Sequence, residues 1–188
     1  MAILGLTCLM MMQTSNGFAA CGHINVTVNT CTIGIDYCID CTTHVLTINS
    51  VAQMDCTRPP SYYELTTALY KFIHDINTYN TLCPGMVLPC GYPDTPLTKV
   101  IVAECWKYDN KGPSTDTLAY IPCTEVNGNC TIVYKMCYDP PIPPNPPVVH
   151  VTIISSSHDD VDCPTTPDPS PWVLGQCYNI EPCYSFFN

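Results

Sequence analysis

Basic side chains are scarce in this chain. Six of them (Arg58, Lys71, Lys99, Lys107, Lys111 and Lys135) are scattered along 188 residues, against sixteen carboxylates, for a formal net charge of −10. That balance excludes a nucleic-acid partner, because displacing counterions from a phosphate backbone needs a clustered positive face. Long apolar runs are missing as well. Ile3 to Met12 is apolar and Ala2 to Ala20 carries no charge, but the run is too short to cross a bilayer. The spacings that carry chemistry are also absent. No serine stands in a Gly-x-Ser-x-Gly elbow, no Cys–His pair carries a protease signature, and no glycine-rich phosphate loop occurs. Carboxylates are plentiful, yet no pair stands out as a glycosidase acid and nucleophile. The expectation is a non-enzyme with no catalytic residues, cofactor or bound metal.

What the chain does have is cysteine (15), proline (19) and tyrosine (12), with only 12% charged residues. Low charge with dense cysteine suits an oxidising compartment where disulfides persist, and so an extracellular or cell-surface protein. Residues 1–20 resemble the apolar core of a signal peptide closed by small residues at Gly17-Phe18-Ala19-Ala20, although a basic start is lacking. Cysteine parity favours simple cleavage near Ala19 or Ala20: losing Cys8 leaves fourteen cysteines, whereas lipidation of Cys21 at a lipobox-like site would leave thirteen. If the segment is instead retained, it is an uncharged strand that one copy could donate to another.

Residues 21–188 read as one disulfide-stapled domain with an internal repeat. Cys31-Thr32-Ile33 to Cys38-Ile39-Asp40 is echoed by Cys130-Thr131-Ile132 to Cys137-Tyr138-Asp139. Leu46-Thr47-Ile48 leading to Asp55-Cys56 is echoed by Val151-Thr152-Ile153 leading to Asp162-Cys163. The repeat units span about 21–56 and 123–163. Alternating stretches predict strands at Ile24–Asn29, Val45–Val51, Lys99–Trp106, Cys130–Tyr138 and Val148–Ser155, with a turn or bulge at Gly34. Asn127-Gly128 predicts a hairpin joining Leu118–Val126 to Cys130–Tyr138. Ser61 and Glu64 form a capping box that starts a helix running to about Asn80, with Leu65, Leu69, Phe72, Ile73 and Ile76 inward and Thr66, Tyr70, Lys71, His74 and Asn77 outward. Pro140 to Pro147 predicts a polyproline II connector, and the tail is expected to dock through Trp172 and Phe186-Phe187. The fold class is therefore mainly β: a disulfide-rich, β-sandwich-like domain of two repeated β units with one helix over about 61–80.

Cys21, Cys31, Cys38, Cys41, Cys56, Cys83, Cys90, Cys105, Cys123, Cys130, Cys137, Cys163, Cys177 and Cys183 are all assigned structural disulfide roles. Cys130 and Cys137 lie seven positions apart, so an unbroken strand sets them on opposite faces and each must reach a different element. The repeat pairs Cys38 with Cys56 and Cys137 with Cys163, with Cys21–Cys31 and Cys123–Cys130 as companions. Cys38-Ile39-Asp40-Cys41 has CxxC spacing but lacks the strand-to-helix turn of a redox site and the second CxxC of a zinc site. His44 and His150 precede the echoed strands and could lie close together, although polar residues at strand entrances are the commoner reason for such placement. His158-Asp159-Asp160-Val161-Asp162 lacks calcium-loop spacing and reads as a solvated acidic turn. Tyrosine is too abundant to fill a core, so Trp106, Trp172, Tyr108 and Tyr134 are candidates for an amphipathic binding surface.

The leader, the Cys-Thr-Ile to Cys-x-Asp units, Glu104-Cys105-Trp106 and the cysteine-bearing tail together resemble uncharacterised cysteine-rich secreted bacterial proteins. That resemblance implies location and fold, and brings no activity. The expected function is a non-enzymatic extracellular structural protein, a subunit of a fibre or surface assembly built from copies of itself by strand addition and disulfides. The alternative is a monomeric secreted adhesin or glycan- or protein-binding module.

Overall fold

A computed structural model describes residues 20–56, 60–110, 118–124, 126, 128–140, 147–159, 161–163 and 174–179. The leader, Asn127, Pro141 to Pro146, Trp172, Cys183 and Phe186-Phe187 lie outside the described residues. In chain order the elements are β1 (Ala20–Val28), β2 (Cys31–Asp40), β3 (Val45–Asp55), α1 (Tyr62–Ile73), α2 (Ile76–Leu82), β4 (Leu88–Pro89) and β5 (Leu97–Ala103). They continue with β6 (Cys105–Asn110), β7 (Leu118–Pro122), β8 (Asn129–Asp139), β9 (Val148–His158) and β10 (Cys177–Asn179).

All ten strands belong to one open sheet. β1, β2 and β3 form an antiparallel meander, opened by a two-residue turn in which Asn29 takes φ 54°, a left-handed conformation that asparagine tolerates. The far edge of β3 is shared: Val45 to Thr47 pair parallel with β5, and Val51 bridges to β7. A parallel neighbour needs a long crossover, and the segment containing α1, α2 and β4 supplies it. β5 then pairs with β8, and β8 with β9, both antiparallel. The long strand expected over Lys99–Trp106 breaks at Glu104, whose N–H donates to the Gly128 carbonyl, and β6 continues to different partners, β7 and β10.

The core forms where period-two faces meet the helix. Ile33, Ile35, Tyr37 and Ile39 of β2, Leu46 and Ile48 of β3, Val100 and Val102 of β5, and Ile132, Tyr134 and Met136 of β8 pack with Leu65, Leu69, Phe72 and Ile73 of α1. Each such side chain contributes about 1.5–3 kcal/mol on burial. Tyr37 meets Phe72 at 4.9 Å between ring centroids, tying β2 to α1. A satellite cluster of Cys105, Cys123 and Cys177, with Val126, Val161 and Cys163, holds the β6, β7 and β10 end.

Several expectations are corrected. The helix is two helices. The capping box opens α1 as expected, but His74 caps its end, and Asp75 in extended conformation starts α2 by accepting from the Asn77 N–H at 3.1 Å and the Thr78 hydroxyl at 2.6 Å. His74 packs inward against Tyr70 and Tyr134 rather than facing out. Among the described residues β7 and β8 do not pair as an Asn127-Gly128 hairpin, because β5 and β9 hold the two edges of β8. Gly128 serves close approach: a Cβ there would lie 2.2 Å from Val161 Cγ2. Gly34 lies within a continuous β2, where a Cβ would strike the His23 ring at 2.5 Å.

The echoed stretches do form two antiparallel pairs, β2–β3 and β8–β9, but in different register. Leu46 opposes Ile39, whereas Val151, its counterpart, opposes Met136, a slip of two residues. The strands form one open sheet rather than a two-unit sandwich.

The disulfide partners also differ from those expected. The pairs are Cys21–Cys38, Cys31–Cys56, Cys41–Cys83, Cys90–Cys137, Cys105–Cys163 and Cys123–Cys177. Cys130 is disulfide-bonded as well. Antiparallel register explains the differences. Cys38 opposes Thr47 at one end of the β2–β3 pair, while Cys56 follows Asp55 at the other end, next to Cys31. Cys21 opposes Cys38, far along β1 from Cys31. Cys137 and Cys163 are separated in the same way along β8–β9, and Cys123 has no hairpin to bring it to Cys130. A disulfide spans only about 4.4–6.8 Å between Cα atoms, so strand ends decide the partner. Within the CxxC, Cys38 and Cys41 join separate bridges. Cys130 lies on the buried face of β8 and Cys137 on the opposite one, as their odd spacing requires.

Candidate functional site

The candidate aromatic surface does not form. Trp106 is 2% exposed, between the β7 and β10 neighbours of β6, with its indole N–H donating to the Ala103 carbonyl at 2.6 Å. Tyr134 is fully buried on the core face of β8, and burial raises its pKa. Tyr108 is half-buried against Tyr120 at 5.0 Å between centroids, and Trp172 lies outside the described residues. Among the described residues the exposed tyrosines are instead Tyr63, Tyr70 and Tyr92, which sit on α1 and in the loop before β5. Strand alternation carried this information, since Tyr134 shares a face with Ile132 and Met136.

One group of side chains has the residue types of a catalytic triad without its order. Across β1, β2 and β3, Asp36 stands between His23 and Ser50: His23 Nδ1 lies 2.8 Å from Asp36 Oδ1, and the Ser50 hydroxyl donates to Asp36 Oδ2. The other ring nitrogen of His23 lies 3.0 Å from Asn25 Oδ1. In a nucleophilic triad the imidazole sits between hydroxyl and carboxylate so that it can take the hydroxyl proton. Here the carboxylate holds both partners, and the row is a cross-strand clamp.

The feature that stands out is β9. It is an eleven-residue strand at the sheet edge, and among the described residues β8 is its sole pairing partner. Its sequence, Val-Val-His-Val-Thr-Ile-Ile-Ser-Ser-Ser-His, contains no lysine, carboxylate or proline. From Thr152 onward both faces are exposed; Val148 is 56%, Ile153 44% and Ile154 51% exposed. A register shift opposite Val133/Tyr134 leaves Ile154 outside the ladder, so Val148 to Ile153 is the longest regular stretch. Outward-facing N–H and C=O groups on such a strand are a template for another strand. The other terminal strands are managed differently. β1 has α1 against its C-terminal end, where the Lys71 ammonium donates to the outer Thr27 carbonyl at 3.0 Å, although its alternate residues are exposed, and β10 is three residues long.

Where β9 begins, His150 Nε2 meets Asp139 Oδ2 at 2.8 Å, beside the Cys90–Cys137 bridge. Cys90, Asp139 and His150 present ligand atoms within 4.8 Å of one another. With the bridge closed, no thiolate is available and two donors remain, too few to hold zinc. His44, the other histidine of the expected pair, lies in the β2–β3 turn at φ 54°, its carbonyl accepting from the Lys99 N–H. Asp159 of the acidic turn accepts from the Asn129 N–H at 3.0 Å. A shallow hollow of about 250 Å³ lies between Tyr37 and α2, lined also by Asn77, Thr78, Thr81 and Leu82. No protein-family model, curated protein or solved structure matches the chain. No described helix is long and apolar enough to cross a membrane.

Proposed function

We propose that this protein is a non-enzymatic, exported structural subunit whose copies join by strand addition along β9. The observation that carries the reading is the β9 edge, a regular stretch from Val148 to Ile153 with exposed apolar side chains and none of the charges or prolines that guard sheet edges. Six disulfides between described residues support life in an oxidising compartment and a body rigid enough to present that edge. The added strand comes from another copy of the chain, so the partner is the protein itself. Main-chain hydrogen bonds supply affinity, and the alternation of half-buried Val149 and Val151 with exposed neighbours sets register.

The test is size and shape against concentration, by analytical ultracentrifugation and negative-stain microscopy of exported protein. The wild type is expected to form oligomers or filaments. Val148→Lys with Ile153→Lys is expected to stay monomeric while changing stability by less than about 0.5 kcal/mol, as exposed sites do. Compact wild-type monomers at high concentration would sink the reading.

A second reading is a monomeric adhesin or binding module for surface glycans or proteins. It draws on the hollow beside α2, where Tyr37 offers an aromatic floor and Asn77, Thr78 and Thr81 offer hydrogen-bonding groups. Glycan-array binding that Asn77→Ala abolishes, in a protein that never oligomerises, would favour it.

A further inference from the structure

We propose that the Cys90–Cys137 bridge occupies a latent zinc site, which the metal fills when that disulfide is reduced. Three elements converge on it. Cys137 and Asp139 are two residues apart on β8 and therefore share a face, and His150 of β9 lies directly opposite Cys137. β4 runs parallel to the same end of β8, and the Cys90 N–H donates to the Tyr138 carbonyl at 2.9 Å, which fixes the Cys90 backbone beside that face. The result is two sulfurs, one imidazole and one carboxylate at a single place, with the Cys90, Asp139 and His150 donors mutually within 4.8 Å.

The geometry suits the metal. Zinc held by thiolate, imidazole and carboxylate has bonds of about 2.0–2.3 Å, so tetrahedral donors stand roughly 3.3–3.8 Å apart. Two pairs are too close: the two bonded sulfurs, which reduction separates, and His150 Nε2 with Asp139 Oδ2 at 2.8 Å, which part when the metal replaces the hydrogen bond between these two exposed side chains. Asp139 and His150 are exposed and the two cysteines half-buried, so reductant and metal can both reach the site.

The chemistry balances with a dithiol as reductant. Its thiolate attacks one sulfur of the bridge, its second thiol resolves the mixed disulfide, and two electrons pass to the protein, leaving two cysteine thiols and a cyclic disulfide. Zinc then binds both sulfurs as thiolates with release of their two protons, while His150 binds neutral and Asp139 ionised. Exchange with a small-molecule disulfide, which takes up the two electrons and leaves as two thiols, re-forms the bridge, removes the thiolates and expels the ion. Cross-link and metal are thus alternative occupants, and zinc would keep Cys90 and Cys137 from pairing wrongly with other cysteines before oxidation. The inference is independent of assembly through β9.

Cobalt(II) is the probe, with the full chain. Oxidised wild type is expected to show no tetrahedral cobalt spectrum. Cys137→Ala, oxidised so that the other bridges close, leaves the Cys90 thiol beside His150 and Asp139. It is expected to bind one cobalt ion with a sulfur charge-transfer band, and adding His150→Ala or Asp139→Asn weakens binding by at least about tenfold. A folded Cys137→Ala chain that binds no cobalt, or binds it equally well without His150, overturns the proposal. A second measurement stands if Cys137→Ala does not fold: wild type is reduced by a dithiol with and without zinc, alkylated, and mapped by peptide mass spectrometry. Zinc is expected to slow alkylation of Cys90 and Cys137 at least about tenfold relative to the other cysteines. Equal rates at all cysteines, or no protection at those two, overturn it.

Discussion

His74 lies at the C-terminal cap of α1, its ring edge-on to Tyr70 at 3.9 Å and to Tyr134 at 5.7 Å. Both ring nitrogens are buried, with no hydrogen-bond partner among the described residues, and burial pushes the pKa down from 6.5 to about 4. In the unfolded chain the same imidazole titrates near its ordinary value. Between those two values the unfolded state binds more protons than the native state, so stability is full above about pH 7 and falls as pH drops through 6.5 towards 4. After allowance for the ring's partial solvent contact, about 2 kcal/mol should be lost by pH 4.5. Urea midpoints at pH 7.5 and 4.5 check this, with His74→Phe expected to remove most of the difference; an undiminished difference would place the cause elsewhere. Gly128 offers a steric test at the same scale. Gly128→Ala sets a methyl 2.2 Å from Val161 Cγ2 and should cost about 1–3 kcal/mol. Val161→Ala made alone loses packing, yet in the double mutant it should relieve the clash, a coupling that a thermodynamic cycle measures directly.

At the scale of elements, the parts that could be read from the sequence are those whose causes are local. Ser61 and Glu64 satisfy each other's backbone N–H groups within one turn, so the start of α1 was visible without any tertiary information. The end was hidden, because Ile73 and Ile76 continue a helical apolar stripe across the break at Asp75. The available signal was Asp75 followed by Thr78, a carboxylate placed to cap a new first turn. Strand existence was legible for β1, β3, β8 and β9 from period-two alternation. Strand partners were not, since β3 divides one edge between β5 and β7, a choice made by contacts far apart in the chain. The same limit governs the candidate sites. The cysteines were visible but their partners were not, and Trp106 and Tyr134 looked like a surface until the sheet around them was known. The caps themselves are testable. Ser61→Ala should destabilise the protein by about 1 kcal/mol and Asp75→Ala by a similar amount, with additive effects because each serves its own helix. Thermal denaturation of the two single variants and the pair decides this, and a strongly non-additive pair would mean that α1 and α2 unfold as one segment.

The whole molecule is a core of sheet and helix with a smaller sulfur-rich end, and its cross-links are distributed accordingly. Cys21–Cys38 and Cys31–Cys56 staple the β1–β2–β3 meander, which already has continuous ladders, whereas Cys41–Cys83 ties the end of α2 to the β2–β3 turn. Cys105–Cys163 and Cys123–Cys177 stand apart, joining β6, β7 and β10 through a cluster with few other apolar contacts. β10 contributes three paired residues, so Cys177 is its main attachment besides the buried Tyr178. Replacing Cys123 and Cys177 together by alanine opens a loop of 54 residues in the unfolded chain and should cost about 2–4 kcal/mol. In a protein of this size that corresponds to a fall in Tm of roughly 5–15 °C. The local effect should exceed the global one. Hydrogen exchange at Cys177 to Asn179 and at their β6 partners should accelerate well beyond the change at β2 and β3, because sub-global opening needs only the weak end to detach. Uniform acceleration across both regions would show instead that the sulfur-rich end and the main core unfold as a single unit.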